Sequence, residues 1–148
     1  MQALADKQLD SPDARRIPGV LVVDDEHMVR VLLQLSLERN GFEVWLASNG
    51  DEAIELYQDN KNCIDAVLLD VCMPGLDGPH TLGVLRKLNP EVRACFMSGD
   101  LGSYRSEDLI QLGAACVIAK PFRLNELASQ LRLVANGKVA EPRTARNC

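Results

Sequence analysis

The sequence is poor in several residue types that particular functions require. It has two histidines and five cysteines in 148 residues, and no two cysteines form a C-x-x-C pair. Neither a zinc site nor a disulfide framework is indicated, because both need closely spaced or evenly paired ligands. Aromatic residues make up 4% of the chain, which is too few for a platform that stacks the bases of single-stranded nucleic acid.

Long hydrophobic runs and positive charge are also scarce. No apolar run approaches the roughly 20 residues that cross a bilayer, and residues 1–16 lack the apolar stretch of a secretory signal. The chain carries 16 basic and 21 acidic residues, for a formal net charge of -5. This balance argues against binding to nucleic acid or to anionic membranes, since both require a positive field. We therefore expect a cytoplasmic protein without direct nucleic-acid binding or membrane insertion.

The remaining composition is that of one globular domain. Hydrophobic residues make up 47% of the chain, and a chain of this length buries enough surface to fold without a metal or a disulfide. Residues 1–16 and 137–148 are polar or small and show no periodicity, which is typical of flexible tails. We place the folded unit at residues 17–136.

Apolar runs of strand length alternate with segments of helical period within this unit. The predicted strands are 20–23, 43–47, 66–69, 94–97 and 116–118. A first helix carries an apolar face of Val29, Leu32, Leu33, Leu35 and Leu37. The other predicted helices are 51–57, 79–88, 102–112 and 125–135. This alternation predicts an α/β three-layer sandwich, with a five-stranded parallel sheet covered by helices on both faces.

Charged and hydroxyl side chains follow four of the predicted strands. Asp24 and Asp25 follow the first strand, Asp70 the third, Ser98 the fourth and Lys120 the fifth. These groups should converge, because the carboxyl ends of parallel strands meet at one edge of the sheet, where such folds bind ligands. Three ionised carboxylates in one crevice need a counter-charge. Carboxylate oxygens without histidine suit Mg²⁺.

The same set of groups predicts phosphoryl transfer. A carboxylate beside Mg²⁺, an ammonium group and a hydroxyl can attack phosphorus while the cations neutralise the equatorial oxygens. We assign the attack to Asp70. In the alternative interpretation these side chains are solvated loop residues, but four separate strand ends supplying complementary groups weaken it.

Four motifs resemble the receiver domain of bacterial two-component response regulators. They are VVDDE at 22–26, LLDVCMPGLDG at 68–78, MSG at 97–99 and KPF at 120–122. The resemblance covers about residues 20–134 and implies a flavodoxin-like sheet in strand order 2-1-3-4-5. It implies that Asp70 accepts a phosphoryl group from a phosphohistidine on a histidine kinase or a histidine phosphotransfer protein. Ser98 and Lys120 would contact the phosphoryl oxygens.

The resemblance also implies the metal ligands. Asp25, Asp70 and the backbone carbonyl of Cys72 would bind Mg²⁺, and Asp24 would act largely through metal-bound water. The thiol of Cys72 is expected to be inert, because acidic surroundings disfavour its thiolate. Pro121 resembles a proline that the family joins to the preceding lysine by a cis peptide bond.

One position departs from the family pattern. Val117 lies three residues before Lys120, where many receivers carry an aromatic side chain that turns inward on phosphorylation. Valine has no ring to move, so we expect the loop 98–103 to carry the switch. Asp100 in this loop either orients an attacking water or caps the following helix. Tyr104 is another aromatic residue in the region, but its predicted place at a helix start differs from the family position.

Two other functions remain open. A Mg²⁺-dependent phosphatase with an aspartyl-phosphate intermediate, like the haloacid dehalogenases, usually has a second acid two residues after the nucleophile, where this chain has Cys72. The other is a receiver-like scaffold that is never phosphorylated, which Val117 keeps open. We expect a signalling module that catalyses only its own phosphorylation and dephosphorylation.

The expected partners are proteins. The few residues after 136 leave no room for an output domain, so we expect either a stand-alone receiver or one cut from a longer regulator or hybrid kinase. The signal would then pass to a separate protein effector of unknown identity, and a homodimer that forms on phosphorylation stays open.

Overall fold

The computed structural model describes residues 17–137. The flexible tails predicted at residues 1–16 and 137–148 lie outside the described residues, apart from Gly137. The strands are β1 (Gly19–Val23), β2 (Glu43–Ala47), β3 (Ala66–Asp70), β4 (Ala94–Ser98) and β5 (Cys116–Ala119). The helices are α1 (His27–Arg39), α2 (Gly50–Asn60), α3 (Gly78–Leu88), α4 (Ser106–Gln111) and α5 (Leu124–Ala135). None of the helices in this part of the chain has the length and apolar character needed to cross a membrane.

The five strands form one parallel sheet in the order β2-β1-β3-β4-β5. This confirms the predicted flavodoxin-like α/β fold with strand order 2-1-3-4-5. Every residue of β1, β3 and β4 is buried, because helices cover the sheet on both faces and its central strands meet no water. The register pairs Val23 with Leu69, and Asp70 with Met97, so the carboxyl ends of the central strands lie at one edge.

Two apolar layers hold the helices on the sheet. Successive residues of a strand point to opposite faces, so Val20 and Val22 of β1 pack with α1 and α5, while Leu21 and Val23 pack with α2, α3 and α4. The largest buried helix residues on the first face are Leu33, Leu37, Leu127 and Leu131. Those on the second face are Tyr57, Leu82, Leu85 and Leu109. Each such side chain contributes about 1.5–3 kcal/mol, which fixes the framework that carries the sheet edge.

The predicted apolar face of α1 is wrong in part. Leu33 and Leu37 are buried, whereas Leu32 is 45% exposed and Leu35 is 61% exposed. Residues four apart share one side of a helix, and the pair 33 and 37 takes the core side. Leu32 and Leu35 form a second stripe, which points to solvent.

Helix α4 is shorter than predicted, beginning at Ser106 instead of residue 102. Gly102 has a positive φ of 65°, which breaks helical geometry, and the backbone N–H of Tyr104 donates to the carbonyl of Leu101 in a turn. The N-cap is Arg105. Asp100 therefore does not cap this helix; its carboxylate accepts a hydrogen bond from the backbone N–H of Gly102.

Candidate functional site

The carboxyl edge of the sheet brings three acidic side chains together. Asp70 is the last residue of β3, and Asp24 and Asp25 follow β1 directly. Each of these residues offers a carboxylate oxygen, and the three oxygens lie within 4.8 Å of one another. Asp24 is fully buried and Asp70 is 7% exposed, whereas Asp25 is exposed. The cluster is thus closed on the protein side and open to solvent on the side of Asp25.

Lys120 supplies the positive charge beside these carboxylates. It follows β5, and its Nζ lies 3.0 Å from Oδ2 of Asp24 and 3.7 Å from Oδ1 of Asp70. Burial opposes the charge of Lys120, but the hydrogen bond to Asp24 and the negative charges of Asp24 and Asp70 outweigh it and raise the pKa of the lysine. The lysine therefore stays charged and holds two of the acidic groups in place.

The surroundings of Asp70 disfavour its ionised form. Burial raises the pKa of Asp70 to about 6, with a further contribution from the charge of Asp24, while Lys120 acts in the opposite direction. One lysine does not offset the neighbouring charges of Asp24, Asp25 and Glu26. The donor set, carboxylate oxygens with an open side toward water, fits a hydrated dication such as Mg²⁺, which takes one or two carboxylates and keeps several waters.

This raised pKa predicts a pH dependence in Mg²⁺-free buffer. The folded state binds the Asp70 proton more tightly than the unfolded chain, so the stability supplied by the protonated carboxyl is complete below the ordinary pKa of 3.8 and is lost as the pH rises through about 6. The difference in free energy of unfolding between wild type and Asp70→Asn should widen over this window and level off above it. Urea unfolding of both proteins from pH 4 to 8 measures it. A constant difference would contradict the raised pKa.

Ser98 ends β4 beside this cluster, but its hydroxyl bonds within its own loop. Its Oγ donates to the carbonyl of Asp100 at 2.5 Å and accepts from the backbone N–H of Asp100 at 2.9 Å. The hydroxyl must release the carbonyl of Asp100 before it can donate to any other group.

Tyr104 and Asp77 form a contact that the sequence did not predict. The Tyr104 hydroxyl donates to Oδ2 of Asp77 at 2.9 Å. Asp77 is also the N-cap of α3, where its Oδ1 accepts from the backbone N–H of His80 at 2.9 Å. The contact joins the loop after β4 to the loop after β3. The acid directly before Gly78 and Pro79 is a signal that could have identified the helix cap, but no local pattern points to a tyrosine partner 27 residues away.

Cys72 lies in the loop after β3 and contacts the loop after β4. Its thiol is exposed and donates to the carbonyl of Asp100 at 3.3 Å. Burial, followed by the charges of Asp100 and Asp70, raises the pKa of the thiol, which agrees with the expected inert role. The peptide bond between Lys120 and Pro121 is cis, as expected from the motif.

Comparison with known proteins points to one family. The family model for the response regulator receiver domain matches residues 20–132. Response regulator MprA of a Mycobacterium species is 40% identical over 114 residues, covering 76% of this chain and 48% of that protein. Sporulation initiation phosphotransferase F of Bacillus subtilis is 32% identical over 117 residues, covering 76% of this chain and 90% of that protein. The chain spans about half the length, or less, of the first curated relatives that it matches.

Solved structures agree with this match. Response regulator protein TrrA from Thermotoga maritima, in complex with Mg²⁺ and beryllium fluoride, is 30% identical to this chain with a TM-score of 0.70. The alignment covers 80% of this chain and 99% of that one.

Proposed function

Because the chain belongs to the response regulator receiver domain family, we propose that it is a phosphoacceptor in a two-component phosphorelay, with Asp70 as the acceptor. The observation that carries this proposal is the buried Asp70 carboxylate within 4.8 Å of two further carboxylates, next to the ammonium group of Lys120. That arrangement combines a nucleophile with the charges that phosphoryl transfer requires. The donor would be a phosphohistidine of a histidine kinase or of a histidine phosphotransfer protein.

In the proposed transfer an Asp70 oxygen forms a bond to phosphorus as the bond from phosphorus to the donor imidazole breaks. Lys120, 3.7 Å from Asp70, is within reach of an oxygen of the incoming group and would neutralise it. Asp25, Asp70 and the backbone carbonyl of Cys72 would hold Mg²⁺, and Asp24 would act largely through metal-bound water. The ion would supply charge neutralisation for the carboxylates and the phosphoryl oxygens. Ser98 would turn from Asp100 to donate to a phosphoryl oxygen.

The main alternative, a phosphatase that turns over small substrates, has less support from the site. The position two residues after Asp70 carries the Cys72 thiol, whose raised pKa keeps it protonated. A thiol that donates to a carbonyl cannot serve as the second carboxylate of such an enzyme. The exposed Asp25 also leaves the cluster open to a macromolecular donor.

A transfer experiment separates the two functions. A kinase domain phosphorylated on histidine with radiolabelled phosphate is mixed with the chain in Mg²⁺, and we expect label to move to the chain at no more than one phosphoryl group per molecule. Transfer should stop when Mg²⁺ is chelated. Multiple turnovers of a small phosphomonoester, without stable label on the chain, would favour the phosphatase instead.

The switch that follows phosphorylation is proposed to run through the loop after β4. The Ser98 hydroxyl bonds to Asp100, Asp100 bonds to Gly102, and the loop ends at Tyr104, which bonds to Asp77. Turning Ser98 toward the phosphoryl group would break the first of these bonds and loosen the rest. No ring is needed at Val117 for this path, since backbone displacement alone carries the change.

We expect beryllofluoride, which mimics a phosphoryl group, to move this loop without burying a ring against β5. Tyr104→Phe removes one hydrogen bond of the resting loop, a net loss of about 1 kcal/mol, so beryllofluoride should bind this variant about fivefold more tightly. Titration with Mg²⁺ present measures the affinity, and crystal structures with and without beryllofluoride show the loop.

The matched control is Tyr57→Phe, which also loses a hydroxyl with a hydrogen-bond partner, the side-chain amide of Asn89, and should leave the affinity unchanged. Equal affinity of Tyr104→Phe and wild type, or inward movement of the Tyr104 ring, would contradict the proposed path.

The proposed setting is the cytoplasm, with a downstream protein effector that reads the loop. The family match supports a signalling role. One relative, of which this chain covers 90%, is named as a phosphotransferase of sporulation initiation, which supports a place in a phosphorelay.

A further inference from the structure

Two cysteines lie side by side on adjacent strands, outside the acidic cluster. Cys95 on β4 and Cys116 on β5 are direct partners in the parallel ladder. Their sulfur atoms lie 2.7 Å apart, and both residues are free thiols. Both side chains belong to the apolar layer under α1 and α5.

The backbone places the two residues where a disulfide can form. Paired residues on adjacent strands lie about 4.8 Å apart, inside the range of about 4.4–6.8 Å between the Cα atoms of bonded cysteines. The sulfur atoms need to approach by about 0.7 Å to reach the bond length of about 2.05 Å.

We propose that Cys95 and Cys116 are a redox-active dithiol that closes to a disulfide when a hydroperoxide reaches the protein. The Cys116 thiolate attacks the terminal peroxide oxygen, the oxygen–oxygen bond breaks, and the alkoxide or hydroxide leaves with a proton. The resulting sulfenic acid of Cys116 is attacked by Cys95, and water leaves as the disulfide forms. Two thiols and one hydroperoxide thus give one disulfide, one water and one alcohol or second water.

The two cysteines are not equivalent, and Cys116 is the one that reacts first. β5 lies at an edge of the sheet, and Cys116 is 8% exposed whereas Cys95 is fully buried. Once Cys116 loses its proton, the Cys95 thiol can donate to the Cys116 sulfur, and this hydrogen bond lowers the pKa of Cys116 against the opposing effect of burial. The thiolate is the reactive form. Cys95, at its side, is placed to resolve the sulfenic acid.

The disulfide would act on the candidate site, and this consequence rests on the proposed function. Ser98 lies on β4 three residues after Cys95, and Lys120 follows β5 four residues after Cys116. A covalent link between the strands restrains both ends, including the turn of Ser98 toward a phosphoryl group. We expect the oxidised protein to accept phosphate more slowly than the reduced protein.

Mass spectrometry tests the disulfide itself. The three remaining cysteines, Cys63, Cys72 and Cys148, are replaced by serine so that the pair stands alone, and the reduced protein is treated with hydrogen peroxide. After unfolding and alkylation we expect a mass lower by two hydrogens with no alkyl group, restored by dithiothreitol. Peptide mapping of oxidised wild type should show the same link.

Two outcomes would overturn the proposal: two alkyl groups after peroxide treatment, or a sulfinic acid on one cysteine with a free thiol on the other. The Cys95→Ala variant is the control. Its Cys116 has no resolving partner, so peroxide should leave a sulfenic acid that a dimedone reagent captures.

Acetyl phosphate tests the effect on the candidate site. With Mg²⁺ present, the oxidised form should gain a phosphoryl group about fivefold more slowly than the reduced form, and dithiothreitol should restore the rate. Equal rates of phosphorylation for the oxidised and reduced forms would contradict the proposal that the disulfide restrains Ser98. Absence of phosphorylation in the reduced form would count against the proposed function, whereas the disulfide is judged by mass alone.

Discussion

Replacing Asp70 with asparagine should stabilise the fold by about 1–3 kcal/mol in Mg²⁺-free buffer at neutral pH. Burial and the neighbouring Asp24 raise the pKa of Asp70 to about 6, so its ionised form is held at a cost when the pH is higher. Asparagine keeps the size of the side chain and removes the charge. Lys120 retains its closer partner, the buried Asp24, at 3.0 Å.

Urea unfolding of the variant and of wild type measures this gain. Adding Mg²⁺ should stabilise wild type more than Asp70→Asn, because the variant has lost a charged ligand. Asp59→Asn is the matched control, because it removes an exposed carboxylate on α2. It should change neither the free energy of unfolding in Mg²⁺-free buffer nor the stabilisation by Mg²⁺. A variant less stable than wild type would show that Lys120 and the site's hydrogen bonds already compensate the charge of Asp70.

Replacing Lys120 with methionine should have the opposite and larger effect, a loss of about 3–5 kcal/mol. Methionine keeps most of the apolar stem but leaves the carboxylate of Asp24, which is fully buried, without its cation. Its remaining partner is the backbone N–H of Glu26, 2.8 Å from Oδ1. One neutral donor cannot replace an ammonium group beside two carboxylates.

Mg²⁺ should restore part of the stability lost in Lys120→Met, since a dication at the cluster supplies the missing charge. The expected result is a larger rise in unfolding free energy with Mg²⁺ for the variant than for wild type. Lys87→Met, at an exposed position on α3, controls for the change of residue type. A loss no larger than that of the control would mean that Lys120 does not hold the cluster together.

The strand order and the meeting of the acidic side chains could be predicted from the sequence for a physical reason. Continuous apolar runs must be covered on both faces, which requires a parallel sheet with helical crossovers. The parallel sheet in turn brings residues at the carboxyl ends of β1, β3 and β5 to one edge. The proximity of Asp24, Asp70 and Lys120 follows from topology and needs no knowledge of side-chain packing.

The orientation of individual side chains could not be predicted in this way. Ser98 bonds to Asp100, and Tyr104 bonds to Asp77. Both bonds lie in the loop before α4, which is longer than predicted because Gly102 has a positive φ. The apolar residues of α1 include leucines on both sides of the helix, so residue type alone does not tell the core-facing stripe from the exposed one. Contact between Cys95 and Cys116 depends on the register of β4 and β5, which composition does not specify.

The central claim is that Asp70 accepts a phosphoryl group in the presence of Mg²⁺, and intact mass after incubation with acetyl phosphate tests it most directly. We predict that wild type gains the mass of one phosphoryl group with Mg²⁺, that chelation of the metal prevents the gain, and that Asp70→Asn shows none. Borohydride reduction of the acyl phosphate followed by peptide mapping should place the modification on Asp70. No gain in wild type, or an equal gain in Asp70→Asn, would contradict the account.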